Sequence, residues 1–309
     1  MSYTSNQVNG WHAAPVEVQQ RVLGHLSVAN LGNIGRTSHY HYALVKRQVR
    51  GRVTATLADW WLPGETFRFM KDHNMVISGS AVLAIAEPNS VVPNDLDMYV
   101  PRGGMPAVQD FLSQHTEYVK VPDGAVGLSE EEQEYASDPL ESGVKAVAFF
   151  KHPTGLSVLN IIETMDIVAT TAIFKFHSTF VMNYVTWNAL VCAYPKMTED
   201  RVGLVNTHSL DLPSGLVRCM IKYAVRGFRL LDRAYDWKKE NHACANHGYC
   251  GRCQRFVGDE YTMRFAFLDG FGVEADVIDS GIGWRLNSRY TCAPRRQYCP
   301  MRGFVERTV

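Results

Sequence analysis

At 309 residues, 46% hydrophobic and 20% charged, the chain can bury a sizeable core as one large domain or two smaller ones. Its 31 basic residues balance 31 acidic ones, so no global field argues for nucleic acid or a membrane surface, and no apolar run reaches the roughly 20 residues that span a bilayer. The polar start Met1-Ser2-Tyr3-Thr4 lacks a secretory pattern and the seven cysteines are odd in number, so reduced thiols in an intracellular protein, cytoplasmic or nuclear, are expected. The charge is unevenly spread: residues 1–200 carry 14 Lys and Arg against 20 Asp and Glu, and residues 201–309 carry 17 against 11. Such halves attract each other, or leave the C-terminal one with a basic face.

In chain order, Trp11 to Arg52 reads as helical. Pro15 and Glu17 open a helix on which Val18, Val22, Leu23 and Leu26 recur at helical spacing. Asn30 is placed to cap a second helix bearing Leu31 and Ile34, and Thr37-Ser38 a third that runs into Lys46-Arg47. A connecting helix over 53–61 stops at Pro63-Gly64. Residues 74–79 then read as a strand, 80–86 as a short helix, 95–100 as a second strand and 105–114 as a helix. Segment 124–143, with Glu130, Glu131, Glu132 and Glu134, reads as a solvated acidic loop. Residues 144–151 and 156–162 are β runs joined by the hairpin signal His152-Pro153-Thr154-Gly155, and 165–193 reads as mostly helical, with His177 a core histidine.

The clearest helix spans 215–237. Val217, Met220, Ile221, Ala224, Val225, Phe228 and Leu231 form its apolar stripe, with Arg218, Lys222, Arg226, Arg229 and Arg233 on an adjacent face. That basic row is either a solvated helix side or a wall that faces phosphate, able to hold a nucleotide tail or nucleic acid. Beyond it, His242, Cys244, His247, Cys250 and Cys253 crowd one loop. Thiolate and imidazole are zinc's preferred ligands, so Cys244, His247, Cys250 and Cys253 are the candidate structural Zn²⁺ set, with His242 beside them and Cys292 and Cys299 as a more distant pair that could complete it. A short strand over 263–268 follows.

The chemistry concentrates between residues 76 and 100. On a strand, Asp95 and Asp97 project to one side while Leu96 and Met98 point to the other. Two carboxylates that close repel unless a proton or cation lies between them, and oxygen pairs of this kind suit Mg²⁺. Gly79-Ser80 at the mouth of a helix offers close backbone approach and free N–H groups to a phosphate.

Two stretches resemble known families. Pro15-x-Glu17-Val18, Val22-Leu23, Leu26, Asn30-Leu31 and Thr37-Ser38 resemble the F-box, with Ala14 where Leu usually precedes the Pro and Asn30 where Asp is common. The resemblance implies docking of residues 11–52 onto the adaptor of a cullin-type ubiquitin ligase, with Leu23 and Leu26 in the docking face. The strand ending in Gly79-Ser80, the helix and the Asp95-Leu96-Asp97 strand resemble the signature of the polymerase-beta-like nucleotidyltransferase superfamily, over about residues 60–190. This implies that Gly79 and Ser80 hold the phosphates of a nucleoside triphosphate, that Asp95 and Asp97 bind Mg²⁺, and that a third carboxylate stands on a later antiparallel strand. In Leu156-Ser157-Val158-Leu159-Asn160-Ile161-Ile162-Glu163-Thr164 the expected slot holds Asn160, which cannot act as a base. Glu163, at odd spacing, and Asp166, beyond the strand, reach the site only if the strand ends early.

The expected architecture is therefore α/β (α+β): an F-box-like helical module over 1–55, a nucleotidyltransferase-like mixed sheet over 56–195, and a helix with a Cys/His loop and short strands over 196–309. The expected function is Mg²⁺-dependent nucleotidyl transfer to a small molecule, protein or nucleic acid, degenerate at Asn160. The alternative is a non-catalytic adaptor or scaffold of a ubiquitin ligase.

Overall fold

Two serines decide where the N-terminal helices begin. The computed structural model describes residues 10–122, 142–153, 157–244, 246–268, 281–292 and 295–307; residues 124–141 of the expected acidic loop and part of the 152–155 hairpin lie outside them. After a single turn, α1 (Gly10–Ala13), come α2 (Val16–Gly24), α3 (Val28–Gly35) and α4 (His39–Asp59). Ser27 Oγ accepts the Asn30 amide at 3.1 Å and Ser38 Oγ the His41 amide at 3.1 Å, satisfying donors the first turn leaves open. Ser27 is thus the cap of α3, and Asn30 lies inside the helix with its side-chain amide donating to Glu199. The third helix does not stop near Arg47; with no Gly-Pro break before Pro63 it absorbs the connecting segment into 21 residues.

One side chain ties these helices to the central sheet's first helix, α6 (Gly79–Ala86). Arg52, on α4, donates from Nη2 to the carbonyls of Leu23 (2.9 Å), Gly24 (3.2 Å) and Leu26 (2.7 Å), where α2 ends, and from Nη1 to Ile85 (3.0 Å). Ile85 lies at the C-terminal end of α6, so one cation closes the negative ends of two helices.

Between α4 and α6 the chain runs through α5 (Thr66–Asp72) and β1 (Val76–Ser78); after α6 come β2 (Asp95–Val100), α7 (Met105–His115), β3 (Val119–Lys120), β4 (Val144–Lys151) and β5 (Val158–Thr164). Where helix was expected over 165–193, 3₁₀ turns at Ala169–Lys175 and Thr179–Val181 lead into a hairpin of β6 (Asn183–Val185) and β7 (Ala189–Cys192). β-branched and aromatic residues favour strand there, and Thr186 Oγ1 accepts the amides of Asn188 (3.3 Å) and Ala189 (2.9 Å), closing the turn. Next come α8 (Pro195–Glu199), β8 (Val202–Leu204), α9 (Ser214–Val225), β9 (Arg229–Leu231), α10 (Tyr235–Lys238), β10 (Arg255–Phe256), β11 (Met263–Ala266), β12 (Ile282–Arg285), β13 (Ser288–Tyr290), β14 (Tyr298–Met301) and β15 (Phe304–Arg307). The long helix expected over 215–237 ends at Val225, because Gly227 takes φ +87° and turns the chain into β9.

The protein is mixed α/β, built on an eight-stranded mixed sheet in the order β11-β7-β6-β1-β2-β5-β4-β3. β2 and β5 pair parallel; β1 with β2, β1 with β6 and β4 with β5 pair antiparallel. β11 joins the sheet beside β7, so the C-terminal third supplies a central-sheet strand across the boundary expected at residue 195. On one face, Leu23, Leu31, Val45 and Val49 of the N-terminal helices share a core with Ile77, Leu96, Met98 and Ile161. The other face packs Tyr99, Ile162, Phe174 and Trp284. Among the described residues no helix is long and apolar enough to cross a membrane.

Where these helices meet α6 and α8, burial raises the Glu87 carboxyl to about 7, with nearby Glu199 adding to the effect and Arg201 and Arg52 opposing it. Its Oε2 is buried without a hydrogen-bond partner. The folded state therefore holds a proton that the unfolded carboxyl releases near its ordinary value, so this contribution to stability is complete below about pH 4.5 and is lost as pH rises through about 7. Glu87→Gln is expected to remove that slope and to exceed the native protein in stability by about 1–2 kcal/mol at pH 8, but not at pH 4.5. Urea denaturation of both proteins across that range checks it; parallel curves would show that Glu87 ionises as freely folded as unfolded.

Candidate functional site

Strand register assembles the site. Antiparallel pairing sets Ser78 opposite Asp97, and parallel pairing sets Asn160 beside Asp97. Alternation sends Leu96, Met98, Leu159 and Ile161 into the core under the N-terminal helices and leaves Asp95, Asp97 and Asn160 together on the other face. Asn160 Nδ2 donates to Asp97 Oδ1 at 2.8 Å and to Asp95 Oδ2 at 3.2 Å, while its Oδ1 is buried without a partner.

Gly79 closes the third side. Its φ of +73° turns the chain from β1 into α6, and a Cβ on it would overlap Asp97 Oδ2. Both facts require glycine: the backbone is left-handed and the carboxylate packs against its Cα. Ser80 is buried in the first turn of α6, whose residues other than Ala84 are all buried. Asp97 is 8% exposed. Burial, then the charge of Asp95, pushes its carboxyl up to about 8, against the Asn160 hydrogen bond and the positive charge of Lys222.

Lys222 belongs to α9, and part of the apolar stripe expected to face the core lies outward there. Val217 (36% exposed), Ile221 (57%) and Val225 (82%) are exposed, Met220 is half-buried, and Phe228, past the helix end, is buried. Tyr223 is buried against Phe180 and Phe228, and the Asp95 and Asp97 charges help raise its hydroxyl beyond the main effect of burial. Lys222 acts on both Asp97 and His177, Arg218 has its Nε and Nη2 buried, and Arg226 Nη2 donates to the Val92 carbonyl at 3.4 Å. Of the expected basic row, Arg229 and Arg233 lie past the helix end, Arg233 paired with Asp236 at 2.7 Å. His177 lies 5.4 Å from the Tyr223 ring, and burial, with Lys222 adding, lowers it to about 4.

The two substitutes for a third carboxylate are engaged elsewhere. Glu163 accepts the Gly103 amide at 2.5 Å and the Lys145 ammonium at 2.9 Å, on the face opposite Asn160, and Asp166 accepts the Ile167 amide at 2.6 Å. The strand carrying Asn160 runs parallel to β2 and antiparallel to β4. Among the described residues no third acid, His or Cys joins Asp95 and Asp97 in a group able to hold a metal.

The one such group among the described residues is a His/Cys cluster. His242, Cys244, Cys250 and Cys292 each offer a ligand atom, all within 4.8 Å of one another, and can hold a metal ion. Of the four residues expected, Cys244 and Cys250 belong to it and His247 and Cys253 do not. The His247 ring stacks on His242 at 4.9 Å, and Cys253 Sγ donates to the Gln254 carbonyl at 3.3 Å. Cys250 stands between two tight turns, its amide donating to His247 O (2.7 Å) and its carbonyl accepting from Cys253 N (3.0 Å), and Cys292 joins it from a later part of the chain. Cys299 lies outside it, its carbonyl accepting from Arg252.

No protein-family model, curated protein or solved structure matches this chain. Fold and sites together define a mixed α/β protein with an Asp-Asp-Asn constellation, Asp97 and Asn160 buried and Asp95 half-buried, beside a glycine bend and a separate His/Cys cluster.

Proposed function

We propose that the face formed by β1, α6, β2 and β5 binds a nucleoside triphosphate with one Mg²⁺ and supports nucleotidyl transfer at a rate limited by Asn160. The observation that carries this reading is the convergence of Asp95, Asp97 and Asn160 against Gly79, with the positive charge of Lys222 on α9 acting on Asp97. The donor set fits the ion: it is all oxygen, an added charge would relieve the raised Asp97 carboxyl, and the unpartnered Asn160 Oδ1 is a neutral oxygen ligand in reserve. Asp95 and Asp97 would hold Mg²⁺, which supplies charge neutralisation at the phosphates when bound.

The chain's own groups do the rest. Gly79 and Ser80 present the N-terminal end of an eight-residue helix to a phosphate. Lys222 and Arg218 offset the negative charge of the nucleotide tail. Asn160 positions the two carboxylates but cannot take a proton from an acceptor hydroxyl, so the acceptor must deprotonate without it. Fluorescence titration with a labelled ATP analogue tests this: binding that needs Mg²⁺ is expected, weakened at least about tenfold in Asp95→Ala/Asp97→Ala. Binding indifferent to both substitutions refutes it.

A second reading, recruitment to a ubiquitin ligase through residues 11–52, draws on Val18 (49% exposed) and Val22 (47%), an uncovered apolar i, i+4 pair on α2. Leu23, expected in the docking face, is 0% exposed, so Leu23→Asp would damage the core instead of probing docking. Val18→Asp/Val22→Asp is the informative change: it should abolish capture of the ligase adaptor by the intact protein, and no capture by the unaltered protein would remove this reading.

A further inference from the structure

Four soft ligands from two segments, far apart in the chain, meet beside α10. Cys250 Sγ and Cys292 Sγ, 42 residues apart in sequence, lie 3.4 Å from each other and both residues are buried. We propose that His242, Cys244, Cys250 and Cys292 form a closed structural zinc site that clamps the 242–250 turn to the segment following β13.

The spacing is that of co-ligands. Four donors around zinc at a Zn–S distance near 2.3 Å place their sulfurs about 3.8 Å apart, close to what Cys250 and Cys292 show. The imidazole carries an independent sign. His242 Nδ1 lies 3.3 Å from the Glu240 carbonyl, which can only accept, so Nδ1 bears the proton and Nε2 the lone pair. Nε2 is buried and has no hydrogen-bond partner, an arrangement a metal bond satisfies. Thiolate and imidazole donors select zinc over Mg²⁺, and four protein ligands leave no open position for a substrate, so the ion fastens and does not catalyse.

The clamp has a clear mechanical role. The turn it holds carries Tyr249, which packs against Trp237 (5.2 Å) and Tyr261 (5.8 Å), and Gly248, whose carbonyl accepts from the buried Arg255 at 2.7 Å. On the other side, Asp232 accepts from Arg289 and Arg296, so ion pairs hold the β13–β14 hairpin next to α10 independently of the metal.

Metal content and X-ray absorption of the full-length protein, expressed with zinc supplied, test the proposal. The expected result is about one zinc per chain with three sulfurs and one nitrogen in its shell. Cys292→Ser should lose most of the metal, and Cys253→Ser and His247→Ala should retain it. Should Cys292→Ser fail to fold, cobalt substitution of the unaltered protein still decides, by giving tetrahedral bands with thiolate-to-cobalt charge transfer. Zinc well below one per chain, a disulfide between Cys250 and Cys292, or loss of metal in Cys253→Ser would each overturn the assignment.

Discussion

Replacing Asn160 with Asp is expected to weaken the protein without metal and to strengthen everything the metal does. Asn160 donates to both Asp97 and Asp95, so Asn160→Asp exchanges a bridging donor for a third negative oxygen in a place where Asp97 already holds its proton up to about 8. Three carboxyl groups with no cation among them should cost about 3–5 kcal/mol of stability, because a bridge is lost and a buried like charge is gained. Millimolar Mg²⁺ or Mn²⁺ should recover much of that loss, and the transition midpoint should move with metal concentration. A carboxylate in that position can also accept an acceptor's proton, so pyrophosphate release should rise by about 10²-fold or more. Asn160→Leu is the control: it removes the bridge, adds no charge, and should lose stability with no gain in metal response. Denaturation with and without metal, alongside the pyrophosphate assay, reads both effects. An Asn160→Asp protein as stable as the native one in chelator would mean that the three side chains do not share one space.

Arg52→Met is expected to cost about 3–5 kcal/mol, for a different reason. Arg52 is the donor to four carbonyls at the ends of α2 and α6, and burial has already lowered its guanidinium to about 10, with Glu87 opposing. Methionine fills the volume but removes the guanidinium donor from the carbonyls at two helix ends; Leu23 O keeps the Leu26 amide at 3.2 Å, so the loss falls on Gly24, Leu26 and the buried Ile85. Arg52→Lys should recover only part, since an ammonium cannot reach both helix ends with the fork that guanidinium provides. The damage should also spread. Helix α6 begins at Gly79, so a loosened C-terminal end ought to weaken nucleotide binding as well as expose α2 and α3 to protease. Urea denaturation with limited proteolysis measures both. A loss under about 1 kcal/mol would show that water replaces the guanidinium.

The parts of this arrangement that are legible in the sequence are those set by local rules. Gly79-Ser80 between an apolar run and an Ala-rich helix, followed by Asp95-Leu96-Asp97, fixes strand, bend and facing by alternation alone, and the same alternation places Asn160. The cap expected at Asn30 belongs instead to Ser27, which stands immediately before the first turn of α3, so the local signal is present in the sequence. The hairpin over 183–192 is hidden because its apolar residues lack a clean period and its turn depends on Thr186, a weaker punctuator than glycine.

Other features depend on partners far along the chain. Helix α9 sets Lys222 to act on Asp97, more than 100 positions earlier in the chain, and an amphipathic pattern read alone assigns only the apolar side to the core. Cys292 joins the metal cluster from 42 residues beyond Cys250; the sequence offers it only as a distant completing ligand beside Cys299, because local ligand spacing cannot choose between the two. Arg52 gives no signal at all: an arginine in mid-helix looks solvated until the ends of two other helices are brought to it.

Anomalous diffraction from crystals soaked with Mn²⁺ and a non-hydrolysable nucleoside triphosphate locates both ligands at once. One Mn²⁺ peak is expected between Asp95 and Asp97, with phosphate density against Gly79 and Ser80 and facing Lys222. Nucleotide bound elsewhere, or those two carboxylates without a metal peak at saturating Mn²⁺, would contradict it.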